Sequence, residues 1–199
     1  MMQQSQQNTD GAVRGPRREV GRGELIYHAG EQGHAWRIVA GSVRLDRDES
    51  EGPAFAGLSM AGDVIGAETM LFGAYTYTAQ ALSGCVIEPW GEPTERFGES
   101  MLRLLAATER RMADMLALRN GRADERVGGL LALLGSAGAV FKLPRLRDIA
   151  DITGLTIETV SRTLHALDED GVLDVEGRRQ GRRIGGAALT PTRTLRGRC

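Results

Sequence analysis

The stretch from Gly154 to Leu167, GLTIETVSRTLHAL, constrains this chain more than any other segment. Ile157, Val160, Leu164 and Leu167 recur at spacings of three and four, so a helix here gathers them on one face that can pack inward. Glu158, Ser161, Arg162 and His165 fall on a different face and are left for something outside the fold. Thr156 stands where an N-cap belongs, able to satisfy orphan N–H groups of the first turn, and such a helix end also favours a phosphate. Upstream, Arg145 to Ile152 reads RLRDIADI, with Leu146, Ile149 and Ala150 as its apolar side, and Thr153-Gly154-Leu155 makes a tight link. Two short helices joined by such a turn form a helix-turn-helix unit. Downstream, Asp170-Gly171 breaks the pattern and Val172 to Val175 reads as a strand. Glu176-Gly177 and the arginines after it can turn that strand back as a winged hairpin.

These residues have a chemistry in common. Glu158 can accept from the cytosine amino group, and Arg162 can reach guanine O6 and N7 in the major groove. An ordinary surface helix with one charged face is the plain alternative, and the paired helix and wing weigh against it. LPRLRDIADITGLTIETVSRTLHALDEDGVL, residues 143–173, resembles the winged-helix DNA-binding domain of the Crp/Fnr transcription regulators, and is most like the Fnr/FixK branch. That branch carries a Glu-x-x-Ser-Arg pattern, matched by Glu158, Ser161 and Arg162. The resemblance implies base contacts by these three and binding to TTGA-type half-sites in an inverted repeat. Thr156, Arg145 and Arg147 are the candidates for phosphate contacts.

A formal net charge of −1 conceals an asymmetry. Residues 120–199 hold 13 basic and 10 acidic side chains, whereas residues 1–119 hold 12 and 16, which fits DNA contact at one end. No apolar run approaches the roughly 18 residues of a transmembrane helix. The polar opening, residues 1–19, reads as a disordered leader without the apolar core of a signal peptide. Two distant cysteines, Cys85 and Cys199, form no framework of bridges, so a cytoplasmic location is expected.

Residues 20–92 punctuate themselves with glycine. Between the glycines lie short β-prone runs, Leu25 to Tyr27, Trp36 to Val39, Val43 to Leu45, Phe55 to Leu58, Val64-Ile65 and Cys85 to Ile87. Such spacing predicts an antiparallel sandwich or jelly roll. GELIYHAGEQGHAWRIVAGSVRLDR and GDVIGAE resemble the cyclic-nucleotide-binding-like sensor of the same superfamily. Cyclic-nucleotide binders of that fold offer Gly-Glu to the ribose and an Arg-Ser or Arg-Thr pair to the phosphate. Here Glu68 comes one position late and residues 73–82 contain no arginine, so cAMP binding is not expected. Glu68, Thr76 and Thr78 are the polar candidates for a sensor pocket. An iron–sulfur cluster needs about four thiolates, more than the two cysteines supply. Haem through His28 or His34 stays open, although no axial-ligand motif supports it, and Cys85 reads as a buried, inert thiol.

Residues 94–120 change to a helical period. Met101, Leu105, Thr108, Met112 and Met115 follow at spacings of four, three, four and three, a heptad seam that predicts a homodimer. The alternative is a helix covering its own sandwich. Asn120-Gly121 reads as a hinge, and Val127 to Leu134 as the first helix of a DNA-binding domain spanning 121–185. Residues 186–199 read as a basic tail, with little of the alternation a second wing strand would show. The fold expected is therefore α+β: jelly roll, dimerisation helix, winged helix-turn-helix. Function follows as a dimeric transcription activator acting with RNA polymerase under oxygen, nitric oxide or nitrogen control. Two rivals are a ligand-binding module that controls a protein partner, and a cupin-type metal enzyme, for which two spare histidines are too few.

Overall fold

The computed structural model describes residues 16–91, 97–135, 140–176 and 186–189. The leader before residue 16, the arginines between 178 and 183 and those beyond 190, and Cys199 lie outside the described residues.

The N-terminal part is a sandwich of two four-stranded sheets. Its strands are β1 (Arg18–Val20), β2 (Leu25–Tyr27), β3 (Trp36–Ala40), β4 (Ser42–Glu49), β5 (Gly52–Met60), β6 (Val64–Ile65), β7 (Thr78–Ala81) and β8 (Cys85–Pro89). One sheet runs β1-β8-β3-β6 and the other β2-β7-β4-β5, and every recorded pairing in them is antiparallel. Between them lies a core of Val20, Ile26, Ile38, Val43, Ile65, Ala79, Ala81 and Ile87, supplied by alternate residues of each strand. A one-turn helix that the sequence pattern does not announce, α1 (Thr69–Phe72), interrupts the strands and leaves Leu71 and Phe72 exposed.

Helix α2 (Phe97–Ala117) follows. It leads into α3 (Ala123–Leu134), β9 (Val140–Phe141), α4 (Leu146–Thr153), α5 (Ile157–Glu169), β10 (Leu173–Glu176) and β11 (Gly186–Leu189). Gly186–Leu189, grouped with the tail by sequence, pairs antiparallel with β10 on one side and β9 on the other. Backbone pairing to two neighbours supplies what the weak alternation of GAAL does not advertise.

The second core is shared between the two parts. Val127, Leu130 and Leu131 of α3, Ile149 and Ile152 of α4, and Val160 and Leu164 of α5 pack with Leu118, and with Leu58 and Leu82 from the sandwich. Leu58 pairs across the ladder with Arg44, so both lie on the sheet face turned away from the sandwich interior. The helical domain thus covers an outer sheet face. Truncating Leu130, which has no exposed surface, to alanine should cost about 2–5 kcal/mol in urea-induced unfolding.

Candidate nucleic-acid interface

The helix pair is built as its sequence dictates. Gly154 caps α4 in the left-handed conformation (φ 65°), which lets the chain turn sharply into the next helix. Thr156 caps α5: its Oγ1 accepts from the Thr159 N–H at 3.2 Å. Val160, Thr163 and Leu164 are buried, and Leu167 packs against the shared core. Ile157 departs from the expected apolar face and is 45% exposed, since it lies at the edge of that face in the first turn.

Glu158, Ser161 and Arg162 are all exposed and have no side-chain partner among the described residues. Three polar side chains on one helical face, held by an apolar face opposite, form a surface able to enter a groove and meet base edges. His165, on the same face, lies 3.2 Å from Glu169. Arg145 immediately precedes α4, where its N–H donates to Asp148, and Arg147 is exposed on the first turn. Both arginines thus lie at the N-terminal end of α4, and Thr156 lies at the corresponding end of α5.

On α2 the structure divides the anticipated seam. Leu105 and Met112 are exposed, at 56% and 61%, and Thr108 returns its hydroxyl to the Leu104 carbonyl. Met115 instead packs against the shared core, and Met101 is half-buried. Leu102 and Leu116, which the sequence reading passed over, join Leu105 and Met112 as exposed large apolar residues. Spacings of three, seven and four set these four on one stripe, with Glu109 inside it. Helix α2 covers its own domain with one edge and leaves the adjacent edge in solvent.

In the sensor, the polar candidates turn to the backbone. Glu68 accepts from the Thr76 N–H at 3.2 Å, and the Thr78 hydroxyl accepts from the Ala29 N–H at 3.1 Å. Tyr75 lies in the sandwich core, its ring stacked on Tyr27 with centroids 3.6 Å apart. A side chain on Gly33 or Gly66 would run into that ring, so these glycines form its cradle. The Tyr75 hydroxyl accepts from the His34 N–H and Trp36 Nε1 and donates to the His34 carbonyl at 2.8 Å. Burial, with lesser contributions from Glu68 and Tyr75, pushes the Tyr27 phenol far above its ordinary range and keeps it neutral. No group of three or more His, Cys, Asp or Glu able to hold a metal occurs among the described residues.

Sequence reasoning also missed a junction. Arg44 of β4 is 8% exposed and reaches Asp46 on its own strand, and Asp148 and Asp151 on α4. Burial weakens the guanidinium's hold on its proton, but hydrogen bonds to Asp151 and Asp46 outweigh that and strengthen it. Burial raises the Asp46 carboxyl, Arg44 only partly offsets it, and the like charges of Asp151 and Asp148 add to the rise. Only a buried charge separated from its partners by about a hundred residues could reveal such a contact, and no local pattern encodes that.

Comparisons with known proteins agree with this geometry. Residues 17–88 match the cyclic nucleotide-binding domain, and residues 125–184 the Crp-like helix-turn-helix domain. The transcriptional activator protein FnrL of Cereibacter sphaeroides is 31% identical over 175 residues, covering 78% of this chain and 71% of that protein. This chain belongs to the Crp/Fnr family of transcription regulators. The fumarate and nitrate reduction regulatory protein of Escherichia coli K12 is 24% identical to this Crp/Fnr regulator, over 81% of this chain and 72% of its own length. FixK2 of Bradyrhizobium japonicum superposes with a TM-score of 0.65 at 27% identity, over 89% of this chain and 92% of its own. A CRP-family transcriptional regulator from Thermus thermophilus gives 0.68 at 26% identity, over 86% of this chain and 91% of its own. The protein is a DNA-binding transcription regulator with a helix-turn-helix reader and a cyclic-nucleotide-binding-like domain.

Two outcomes follow from the local geometry. Thr156→Ala removes the α5 cap and should lower stability by about 1 kcal/mol in thermal or urea unfolding. Cys85 is 3% exposed, its Sγ donates to the Ser42 and Ser83 carbonyls, and burial raises its pKa. In the native protein iodoacetamide should therefore modify Cys85 far more slowly than in urea, read by peptide mass spectrometry.

Proposed function

We propose that this regulator binds an inverted repeat of TTGA-type half-sites as a homodimer, with Glu158, Ser161 and Arg162 reading bases and Thr156, Arg145 and Arg147 engaging phosphates. The observation that carries this reading is the α5 face: three exposed polar side chains without a partner among the described residues, on a helix whose start is capped by Thr156. Arg162 suits guanine O6 and N7, and Glu158 the cytosine amino group, the two members of one G·C pair.

Dimerisation along α2 accounts for the exposed stripe of Leu102, Leu105, Met112 and Leu116. Four large apolar side chains in water on one helix edge are stabilised by a second copy of that edge, and two-fold symmetry then matches the symmetry of the repeat. Of the anticipated seam, Met115 packs against the chain's own domain, Met101 is half-buried and Thr108 is exposed. The expected partner at the promoter is RNA polymerase, and the compartment the cytoplasm. No helix among the described residues is long and apolar enough to cross a membrane.

For the input, one relative is named for fumarate and nitrate reduction, in keeping with oxygen, nitric oxide or nitrogen status as the theme. Cyclic AMP is disfavoured by the Tyr75 ring between Gly33 and Gly66 and by the lack of arginine in residues 73–82. An iron–sulfur cluster lacks thiolates here, and nothing at His28 or His34 favours haem: each lies in a loop and is exposed.

Fluorescence anisotropy with a TTGA inverted-repeat duplex tests the output. The parent should bind it more tightly than a scrambled duplex. Arg162→Ala should lose about 1–3 kcal/mol of discrimination at one base-pair position and little elsewhere. Equal affinity of parent and variant for all duplexes would remove Arg162 from the reading face.

A further inference from the structure

The reader is fastened to the sensor at a small number of polar contacts, and Arg44 is central among them. It sits on β4, directly opposite Gln80 of β7 and Leu58 of β5, on the sheet face that the helical domain covers. Its Nε donates to both oxygens of Asp46 at 2.8 and 2.9 Å, which fixes the plane of the guanidinium. Its Nη1 then reaches Asp151 at 2.8 Å and Asp148 at 3.2 Å, one turn apart on α4. Phe55 of β5 supports the group from below, with its ring 5.6 Å from the guanidinium carbon, and Arg119 lies at the same distance from that ring. Arg119 donates to the carbonyls of Asp151 and Ile152, and Arg126 to that of Thr153, so the C-terminal end of α4 is held by cations as well.

This places α4 under three restraints, one of which comes from the sensor sheet. Helix α5 follows α4 through a link of only three residues, Gly154 to Thr156, and shares its core. Whatever orients α4 therefore orients α5. Without Arg44, three carboxylates would face each other across the boundary between the domains, two on α4 and one on β4. Like charges at that range repel, and the reader would be left to the apolar contact and the connection at Asn120-Gly121.

We propose that Arg44 is the residue that sets which half-site spacing this regulator accepts. By anchoring α4 to the sensor sheet it fixes each reading helix relative to its own protomer, so that a pair of protomers presents the two helices at one separation. Each inserted base pair moves a half-site about 3.4 Å along the duplex and turns it about 35°, so a rigidly held reader rejects altered spacers. A loosened one follows them. The inference rests on the dimeric reading proposed above and adds to it a positioning residue that touches no DNA.

The test is an anisotropy series on TTGA inverted repeats whose spacer is shortened or lengthened by one and two base pairs, together with a duplex carrying one half-site. The parent should show a sharp optimum, with a penalty of about 30-fold or more for two inserted base pairs. Arg44→Met should bind the optimal repeat more weakly and shrink that penalty to about threefold or less, while half-site affinity stays as in the parent. Asp148→Asn with Asp151→Asn releases the same contact from the helix side and should flatten the profile likewise, which covers the case of a poorly folding Arg44→Met. Arg44→Lys, a cation without the fork, should fall between. An unchanged spacer profile in folded variants would overturn the inference, as would a uniform loss that includes the half-site. Should the parent bind the repeat no better than the half-site, the dimeric reading itself falls, a result distinct from either.

Discussion

The outer face of the β2-β7-β4-β5 sheet is buried, and most of the architecture depends on that one circumstance. A sandwich sheet ordinarily shows one face to its partner sheet and the other to water. Here Leu58 and the half-buried Phe55 and Met60 join the core of the helical domain, while Arg44 and Asp46 on the same face are withdrawn from solvent. Burying a guanidinium costs several kcal/mol unless its donors are satisfied. Arg44 meets the requirement with four hydrogen bonds to three carboxylates, two of them contributed by α4. The apolar part of the junction supplies adhesion, and the ionic part supplies orientation, because a forked planar donor accepts few arrangements of its partners.

That junction connects the two ends of the molecule. Thr78 and Gln80 lie on β7, and β7 is hydrogen-bonded to β4 so that Gln80 stands opposite Arg44 and Thr78 opposite Asp46. Ala79 and Ala81 of the same strand belong to the interior core that holds Tyr27 and Tyr75, so β7 turns one face to the tyrosine stack and the other to the junction. Tyr75 fills its cradle with a hydroxyl that serves three backbone and side-chain partners, so the interior of the sensor is packed by the chain's own side chains.

Much of the reader was legible from its sequence because its determinants are local. The Thr156 cap, the left-handed Gly154 and the apolar period of α5 are each set by residues within a few positions of one another. Six of the eight sandwich strands were legible for the same reason, whereas β1 and β7 were not among the runs read as strands. The edges of these patterns were less so: Ile157 belongs to the apolar period yet is exposed, since a helical face has a margin and only packing says where it falls. The α2 seam shows the same limit. Its apolar residues occupy a face wide enough for two contacts, and the period alone does not say which edge meets the chain's own domain. Once Met115 is seen in the shared core, the solvent edge is Leu102, Leu105, Met112 and Leu116. Gly186–Leu189 was illegible for a different reason, because its place comes from ladder partners distant in sequence.

By itself the sequence determined the kinds of most elements, their order, and which polar side chains of α5 face away from the core, since caps, periods and turns act over a few residues. Tertiary structure alone decided what lies against what: the sheet face under the helical domain, the edge of α2 left in water, and Arg44 between Asp46, Asp148 and Asp151. Contacts between residues a hundred positions apart carry no local signature. They arise when the desolvation of a charge and the burial of apolar surface are satisfied together, and only the folded chain brings those terms to one place.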